Sequence, residues 1–414
     1  MKVKHNIYDK ILDLETRNEN RLHLTANENR MSGTARRFLS SSLSDRYYFG
    51  GGTKNSKKIG SFFVTGLPEV EDLVSSAEKA LKKMLSAKVV NLNALSGIHA
   101  MTCSILSATN PGDLVLTIRH EDGGHFATEG LLKATGRKHD FLVINPETME
   151  IDYSNLKKVI QEKKVKAVYL DPSYFLKPFD LRSIKKIVGK DVCVIYDASH
   201  VLGLIVGGQF QNPLKEGADI ICSNTHKTFP GPQKGILAFK DKRKGTEAEN
   251  IIKSLYSSTH THHLLALSVT ILEMEKFGKD YALQIIKNAQ ALSAALSELG
   301  FEIRSSGAKK HTLNHQVHMF LPQNENPGKV FGRLIRNDIS VNIDTLLGKR
   351  PFIRFGVQEM TRLGMREENM VEVASVLCKA LSGKDVKASV KMMVRQFSKI
   401  DYSFDMIYDG KRIN

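Results

Sequence analysis

Apolar residues become periodic in the first third of the chain. From Glu69 onward, Val70, Leu73, Val74, Ala77, Ala80, Leu81 and Met84 recur at helical spacing. Short apolar runs follow. Residues 89–92, 114–117, 141–144, 167–170, 192–196 and 220–222 read as strands, and helical patterns lie between several of them, at residues 99–108, 156–162 and 181–188. This alternation predicts βαβ units and a mainly parallel sheet covered on both faces. In such a sheet a ligand sits at the carboxyl ends of the strands.

The remainder reads differently. Residues 1–35 look like an irregular N-terminal arm, with a short helix ahead of Thr25-Ala26-Asn27-Glu28-Asn29. Beyond about residue 245, helices are predicted over 263–277 and 281–299, the second stopped by Gly300. Strands at 301–304, 317–321, 339–342 and 352–355 then mix with helices at 329–336, 368–381 and 386–400. The expected architecture is α/β. An arm (1–35) leads into a large domain (36–275) around the parallel sheet, and a smaller α+β domain (276–414) follows.

Composition narrows the class. The 414 residues are 41% hydrophobic, and no apolar run is long enough to span a bilayer. No apolar signal core follows Met1-Lys2-Val3-Lys4, so a cytoplasmic location and no membrane partner are expected. Cys103, Cys193, Cys222 and Cys378 are scattered singly among apolar residues, which suits buried thiols better than zinc ligands or disulfides. The formal net charge of +16 raises the question of nucleic acid. The basic residues are dispersed, however, and a solvated surface is the expectation.

Candidate chemistry clusters at predicted strand ends. Lys227 follows the apolar run Ile220-Ile221-Cys222, and Asp197 ends the run Cys193-Val194-Ile195-Tyr196. A lysine amine can hold a carbonyl cofactor as a Schiff base. A carboxylate at a buried strand end needs a cation, and a protonated pyridine nitrogen is one. The pairing predicts pyridoxal phosphate. Ser96-Gly97, between a strand and a helix start, suits a phosphate, although any tight turn would use the same pair. His125 follows two glycines and can stack on a flat ring or bond its own loop. His200 is placed for the ring hydroxyl or a turn, and Thr225 and His226 for the phosphate or imine. Arg354 interrupts the apolar strand Phe352-Ile353-Arg354-Phe355 and is the expected partner of a substrate carboxylate, with Arg362 as runner-up. Thr259-His260-Thr261-His262-His263 looks like metal ligands but has no acidic or cysteine partner nearby, so a polar loop and no metal are expected.

These residues resemble serine hydroxymethyltransferase, a family in the fold type I, aspartate-aminotransferase-like class of pyridoxal-phosphate enzymes. The densest match runs from Tyr196 to Phe210, through Asn212-Pro213-Leu214 and Glu216-Gly217-Ala218-Asp219, to Thr225-His226-Lys227-Thr228. The resemblance implies Lys227 as the Schiff-base lysine, Asp197 on the pyridine nitrogen, His125 on the ring face and His200 near its hydroxyl. Ser96 and Gly97 would hold phosphate, Ser173 would contact the cofactor, and Arg354 would take the carboxylate. It further implies a homodimer with shared active sites, in which Tyr47 reaches the neighbour's site.

Several positions depart from the family. Its proton-moving glutamate corresponds to Phe49, its alanine-serine-glutamate-asparagine serine to Asn27, and the arginine after its glycine-proline pair to Gln233. Its glycine-rich loop is Ser257-Ser258-Thr259-His260-Thr261-His262, and Ile98-His99 replace a serine and glutamine after the phosphate glycine. The expected activity is therefore making or breaking the Cα–Cβ bond of a serine- or threonine-type amino acid, with an aldehyde or one-carbon partner and not by standard folate-dependent transfer. Asn27 and Tyr47 join Arg354 as expected substrate contacts. Transamination or decarboxylation on the same cofactor, and a basic binding protein on the same scaffold, are the alternatives.

Overall fold

The computed structural model describes residues 4–50, 57–59, 61–145, 148–307, 310–345 and 350–408. The chain opens with a helix, Lys4–Glu19, and a short strand, β1 (Leu22–His23), then a small hairpin of β2 (Lys57–Ile59) and β3 (Phe62–Val64). The arm is thus more regular than expected. The helix Lys4–Glu19 leaves Ile7, Tyr8, Ile11, Leu12 and Leu14 exposed on this chain.

The helix Glu71–Leu85 forms where the periodicity places it. Glu71 and Asp72 lie in its first turn and Lys82 and Lys83 in its last, each complementing the helix dipole. It buries Val74, Ala77, Ala80, Leu81 and Leu85. A central sheet follows, built from β4 (Val89–Asn91), β5 (Leu114–Thr117), β6 (Lys138–Phe141), β7 (Val165–Leu170), β8 (Cys193–Asp197), β9 (Ile220–Asn224) and β10 (Gly235–Phe239). Its order is β4-β10-β9-β8-β7-β5-β6, parallel from β9 to β6, with β10 antiparallel to both neighbours. Strand alternation divides the core in two. Val168, Leu170, Val194, Tyr196, Ile221 and Ala238 face one cluster, while Ala167, Tyr169, Cys193, Ile195, Cys222 and Leu237 face the other.

The C-terminal part carries β11 (Gln316–Phe320), β12 (Ile339–Ser340), β13 (Asn342–Asp344) and β14 (Phe352–Gly356). β11, β14 and β13 form an antiparallel sheet, and β12 pairs in parallel with β1. An isolated bridge from Thr25 to Phe355 also ties the arm to β14.

The structure corrects four expectations. β6 ends at Phe141, and Ile144 instead bridges Ile151. Residues 301–304 contribute only the bridge from Ile303 to Met319. β10, unforeseen as a strand, is a fully buried member of the sheet. One helix, Thr261–Glu298, replaces the two expected helices and runs straight through Gly278 and the expected domain boundary. Gly278 is a crossing point, because a Cβ on Gly207 would lie 2.4 Å from the Gly278 carbonyl oxygen. Among the described residues no helix is long and apolar enough to cross a membrane.

Candidate active site

The carboxyl ends of β4, β5, β7, β8 and β9 converge on one region, the position that a parallel sheet reserves for a ligand. Asp197 is the last residue of β8, held by Tyr169 Oη donating to Oδ2 at 2.8 Å and the Ser199 N–H donating to Oδ1 at 2.9 Å. The Ser199 bond is local, and Tyr169 adds a long-range one. Lys227 follows β9 and is buried, its Nζ 3.0 Å from His200 Nε2. Burial pushes the lysine amine down to about 8, although Asp197 raises it; Arg354 lowers it further. The same burial, and then Lys227, hold His200 neutral, well below its usual range.

Gln316 on β11, absent from the sequence-based set, completes this corner. Its Nε2 lies 3.4 Å from His200 Nδ1 and donates to the Ser173 carbonyl at 3.2 Å, while its Oε1 faces His318 Nε2 at 2.9 Å. A protonated Lys227 amine can only donate, so His200 Nε2 then accepts; once the amine is neutral it can accept from Nε2–H while Nδ1 accepts from the Gln316 amide.

His125 is held by a second unforeseen residue. The Asp171 carboxylate, 2% exposed at the end of β7, accepts from the His125 N–H at 3.1 Å, Thr128 Oγ1 at 2.5 Å and Thr117 Oγ1 at 3.2 Å. Burial raises its pKa to about 7 against the pull of those bonds. The imidazole lies 4.7 Å from the Phe126 ring in a stacked arrangement, and burial lowers its pKa. A Cβ on Gly124 would lie 2.2 Å from the Ile118 carbonyl oxygen, so the loop needs glycine to bring His125 in.

Ser96 caps the helix Gly97–Ala108, its Oγ accepting from the His99 N–H at 3.1 Å. A Cβ on Gly97 would lie 2.8 Å from Asn224 Cβ, so only glycine lets the helix start meet the end of β9. Asn224 Oδ1 beside this turn, and His226 Nδ1 next to Lys227 in the chain, are buried without partners. Burial lowers the His226 pKa to about 4. The Thr225 hydroxyl donates to the Pro232 carbonyl at 2.6 Å and accepts from the Lys234 N–H at 3.2 Å. These bonds shape the loop after Lys227.

Arg354 is buried on β14 and donates to the Ser173 carbonyl at 3.0 Å and Asn342 Oδ1 at 3.2 Å. Its guanidinium carbon lies 4.6 Å from the centre of the Tyr174 ring, and Nε has no partner. Ser173 therefore positions Arg354 through its backbone. Arg354 and Tyr174 line an open groove with Phe331, Asn342 and Asp344. Arg362, the runner-up, is fully buried against Glu273 at 3.0 Å and is bonded to the Tyr402 carbonyl, so it is a core ion pair.

Tyr47 is 58% exposed and stacks on Phe49 with ring centres 5.5 Å apart. Asn27 is half-buried with Oδ1 unpaired, next to Ala26, whose Cα would lie 2.4 Å from a Cβ on Gly356. His262 and His263 occupy the first turn of the helix Thr261–Glu298, with rings 4.4 Å apart.

The donor set fits pyridoxal phosphate. A partly deprotonated buried amine, a strand-end carboxylate, a flat ring and a glycine-lined helix start with unpartnered polar atoms match its aldehyde, pyridine nitrogen, ring face and phosphate.

Comparison with known proteins agrees. The serine hydroxymethyltransferase family model matches residues 1–377. The chain is 35% identical over 406 residues to serine hydroxymethyltransferase from Methanosphaera stadtmanae, covering 95% of this chain and 94% of that one. It is also 35% identical over 393 residues to fluorothreonine transaldolase from Streptantibioticus cattleyicolor, covering 93% of this chain but only 61% of that protein's length. Among solved structures, L-threonine transaldolase from Pseudomonas fluorescens superposes with a TM-score of 0.89 at 29% identity, covering 98% and 97% of the two chains. The fold is that of the fold type I enzymes, and this chain belongs to the serine hydroxymethyltransferase family of pyridoxal-phosphate-dependent enzymes.

Proposed function

We propose that this enzyme breaks and forms the Cα–Cβ bond of a threonine- or serine-type β-hydroxy amino acid, passing the glycine unit between aldehydes without folate. The observation that carries the reading is the grouping of Lys227, Asp197 and Arg354: the last two are the charges that act on the buried amine. The aromatic pair Tyr47–Phe49, at the position matching the family's proton-moving glutamate, argues against folate-dependent transfer. The names of the two transaldolases favour an aldehyde acceptor.

In this proposal, bound pyridoxal phosphate supplies an electron sink for the carbanion left at Cα. Lys227 holds the cofactor through its amine, and the neutral His200 faces that amine as hydrogen-bond donor once the amine is neutral. Asp197 keeps the pyridine nitrogen protonated, and His125 covers one ring face. The Ser96 hydroxyl and Gly97 N–H meet the phosphate, with His226 beside them, and Thr225 shapes the loop. Ser173 acts through its carbonyl. The Arg354 guanidinium, freed in part from Asn342, pairs with the substrate carboxylate, and Asn27 borders the same space.

The exposed apolar face of the helix Lys4–Glu19 supports a homodimer, in which Tyr47 reaches the partner subunit's site. The division into arm (1–35), large domain (36–275) and small domain (276–414), and a cytoplasmic location, belong to the same proposal. As a test, holoenzyme given L-threonine should release glycine and acetaldehyde in equal amounts. No release of either, or loss of the carboxylate as carbon dioxide, contradicts the reading.

A further inference from the structure

One buried cation takes no part in this account. Lys234 is 1% exposed, and its Nζ donates to the Ala94 carbonyl at 3.3 Å and the Thr259 carbonyl at 3.0 Å, which leaves one of its three N–H groups. Ala94 lies just ahead of Ser96, the cap of the helix Gly97–Ala108. The neighbouring Gly235 presses on that cap, since a Cβ there would lie 2.3 Å from the Ser96 carbonyl oxygen. Lys234 is therefore packed behind the turn assigned to phosphate.

Among the described residues no acidic side chain pairs with this charge, and burial pushes the amine down to about 7. Its field reaches His99 on the first turn of the helix Gly97–Ala108 and His262 and His263 at the start of the helix Thr261–Glu298. Each carries a buried ring nitrogen without a partner: His99 Nε2, His262 Nδ1 and His263 Nδ1. Thr259, 9% exposed, and Asn224, 7% exposed, add unpartnered buried oxygens. A buried ammonium without a counter-charge is unfavourable. An arriving dianion would supply that charge.

We infer that Lys234 is the counter-charge for the phosphate end of the cofactor, and that it sets the enzyme's preference for pyridoxal phosphate over unphosphorylated pyridoxal. The inference rests on the assignment of this region to pyridoxal phosphate. It concerns a residue whose charge acts from behind the helix start, beyond the backbone N–H groups already described.

The test compares affinities of full-length apoprotein for pyridoxal phosphate and for pyridoxal, each titrated by absorbance. In Lys234→Met the affinity for pyridoxal phosphate should fall about 10- to 100-fold through loss of a buried charge–charge attraction, while that for pyridoxal stays within about twofold. Lys234→Gln keeps N–H donors for the Ala94 and Thr259 carbonyls and removes only the charge, so it separates electrostatics from the strapping of two loops. The same loss of preference is expected. A folded Gln variant with the wild-type ratio of affinities, or one that loses both ligands in parallel, overturns the inference. Wild-type protein that binds neither ligand overturns the underlying cofactor assignment instead.

Discussion

Lys227 and Lys234 lie on one connection between β9 and β10, both buried and both with depressed pKa values, yet their surroundings differ in kind. Lys227 faces neutral His200 and feels Asp197, a carboxylate that partly restores its pKa. Lys234 bonds two carbonyls, its charge acts on three histidines, and among the described residues it has no acid partner. The first environment tunes a nucleophile, which must lose its proton near neutral pH. The second stores a charge deficit. Burial alone therefore does not single out a Schiff-base lysine; the neighbouring carboxylate sets the two apart.

The contrast breaks most visibly at Lys227. Lys227→Ala should lower threonine cleavage by at least about 10³-fold, the scale expected when a covalent group is removed. Borohydride treatment of the loaded variant should leave no pyridoxyl adduct. An adduct moved to Lys234 would show that the two lysines have been assigned in the wrong order. Next comes Arg354→Gln, for which KM for threonine should rise about 10- to 100-fold through loss of a charge-assisted pair, with a smaller change in kcat. An unchanged KM would place the carboxylate elsewhere.

A pH titration sharpens the comparison further. Lys227 is depressed to about 8, so its reactive neutral fraction rises as pH increases toward that value and levels off above it. Capture of pyridoxal by apoprotein should follow, increasing about tenfold per unit well below the midpoint. Because Asp197 raises the Lys227 pKa, Asp197→Asn should move the midpoint down; an upward move contradicts the electrostatic account. The smallest expected effect is that of Gln316→Leu. Losing the donor to His200 Nδ1 should cost a few-fold in kcat and shift the absorbance of bound cofactor, whereas a purely structural role would lower Tm alone.

Much of the frame was legible because it is local. Apolar runs bounded by turn residues marked β4, β5, β7, β8 and β9, and these set the strand ends on which Asp197, Asn224 and Lys227 stand. The single helix through Gly278 was not legible: a glycine reads as a stop, and only the approach of Gly207 shows why it is needed. β10 is harder to read, because Pro230-Gly231-Pro232 just ahead of it signals a loop, although Gly235-Ile236-Leu237-Ala238-Phe239 is a continuous apolar run. Asp171, Gln316 and Lys234 depend on partners brought together by folding: Asp171 on Thr117 and Thr128, Gln316 on His200, and Lys234 on Ala94. No spacing along the chain encodes those contacts. For Asp171 a signal existed, since it ends an apolar strand as Asp197 does.

The central claim is transfer of the glycine unit between aldehydes, and one competition tests it. Holoenzyme is given L-threonine with either a second aldehyde or tetrahydrofolate, and L-serine with tetrahydrofolate in parallel, and products are followed by mass spectrometry. The account predicts a new β-hydroxy amino acid carrying the second aldehyde, acetaldehyde in equal amount, and no one-carbon folate. Rapid tetrahydrofolate-dependent cleavage of serine, with no product from the second aldehyde, would contradict it.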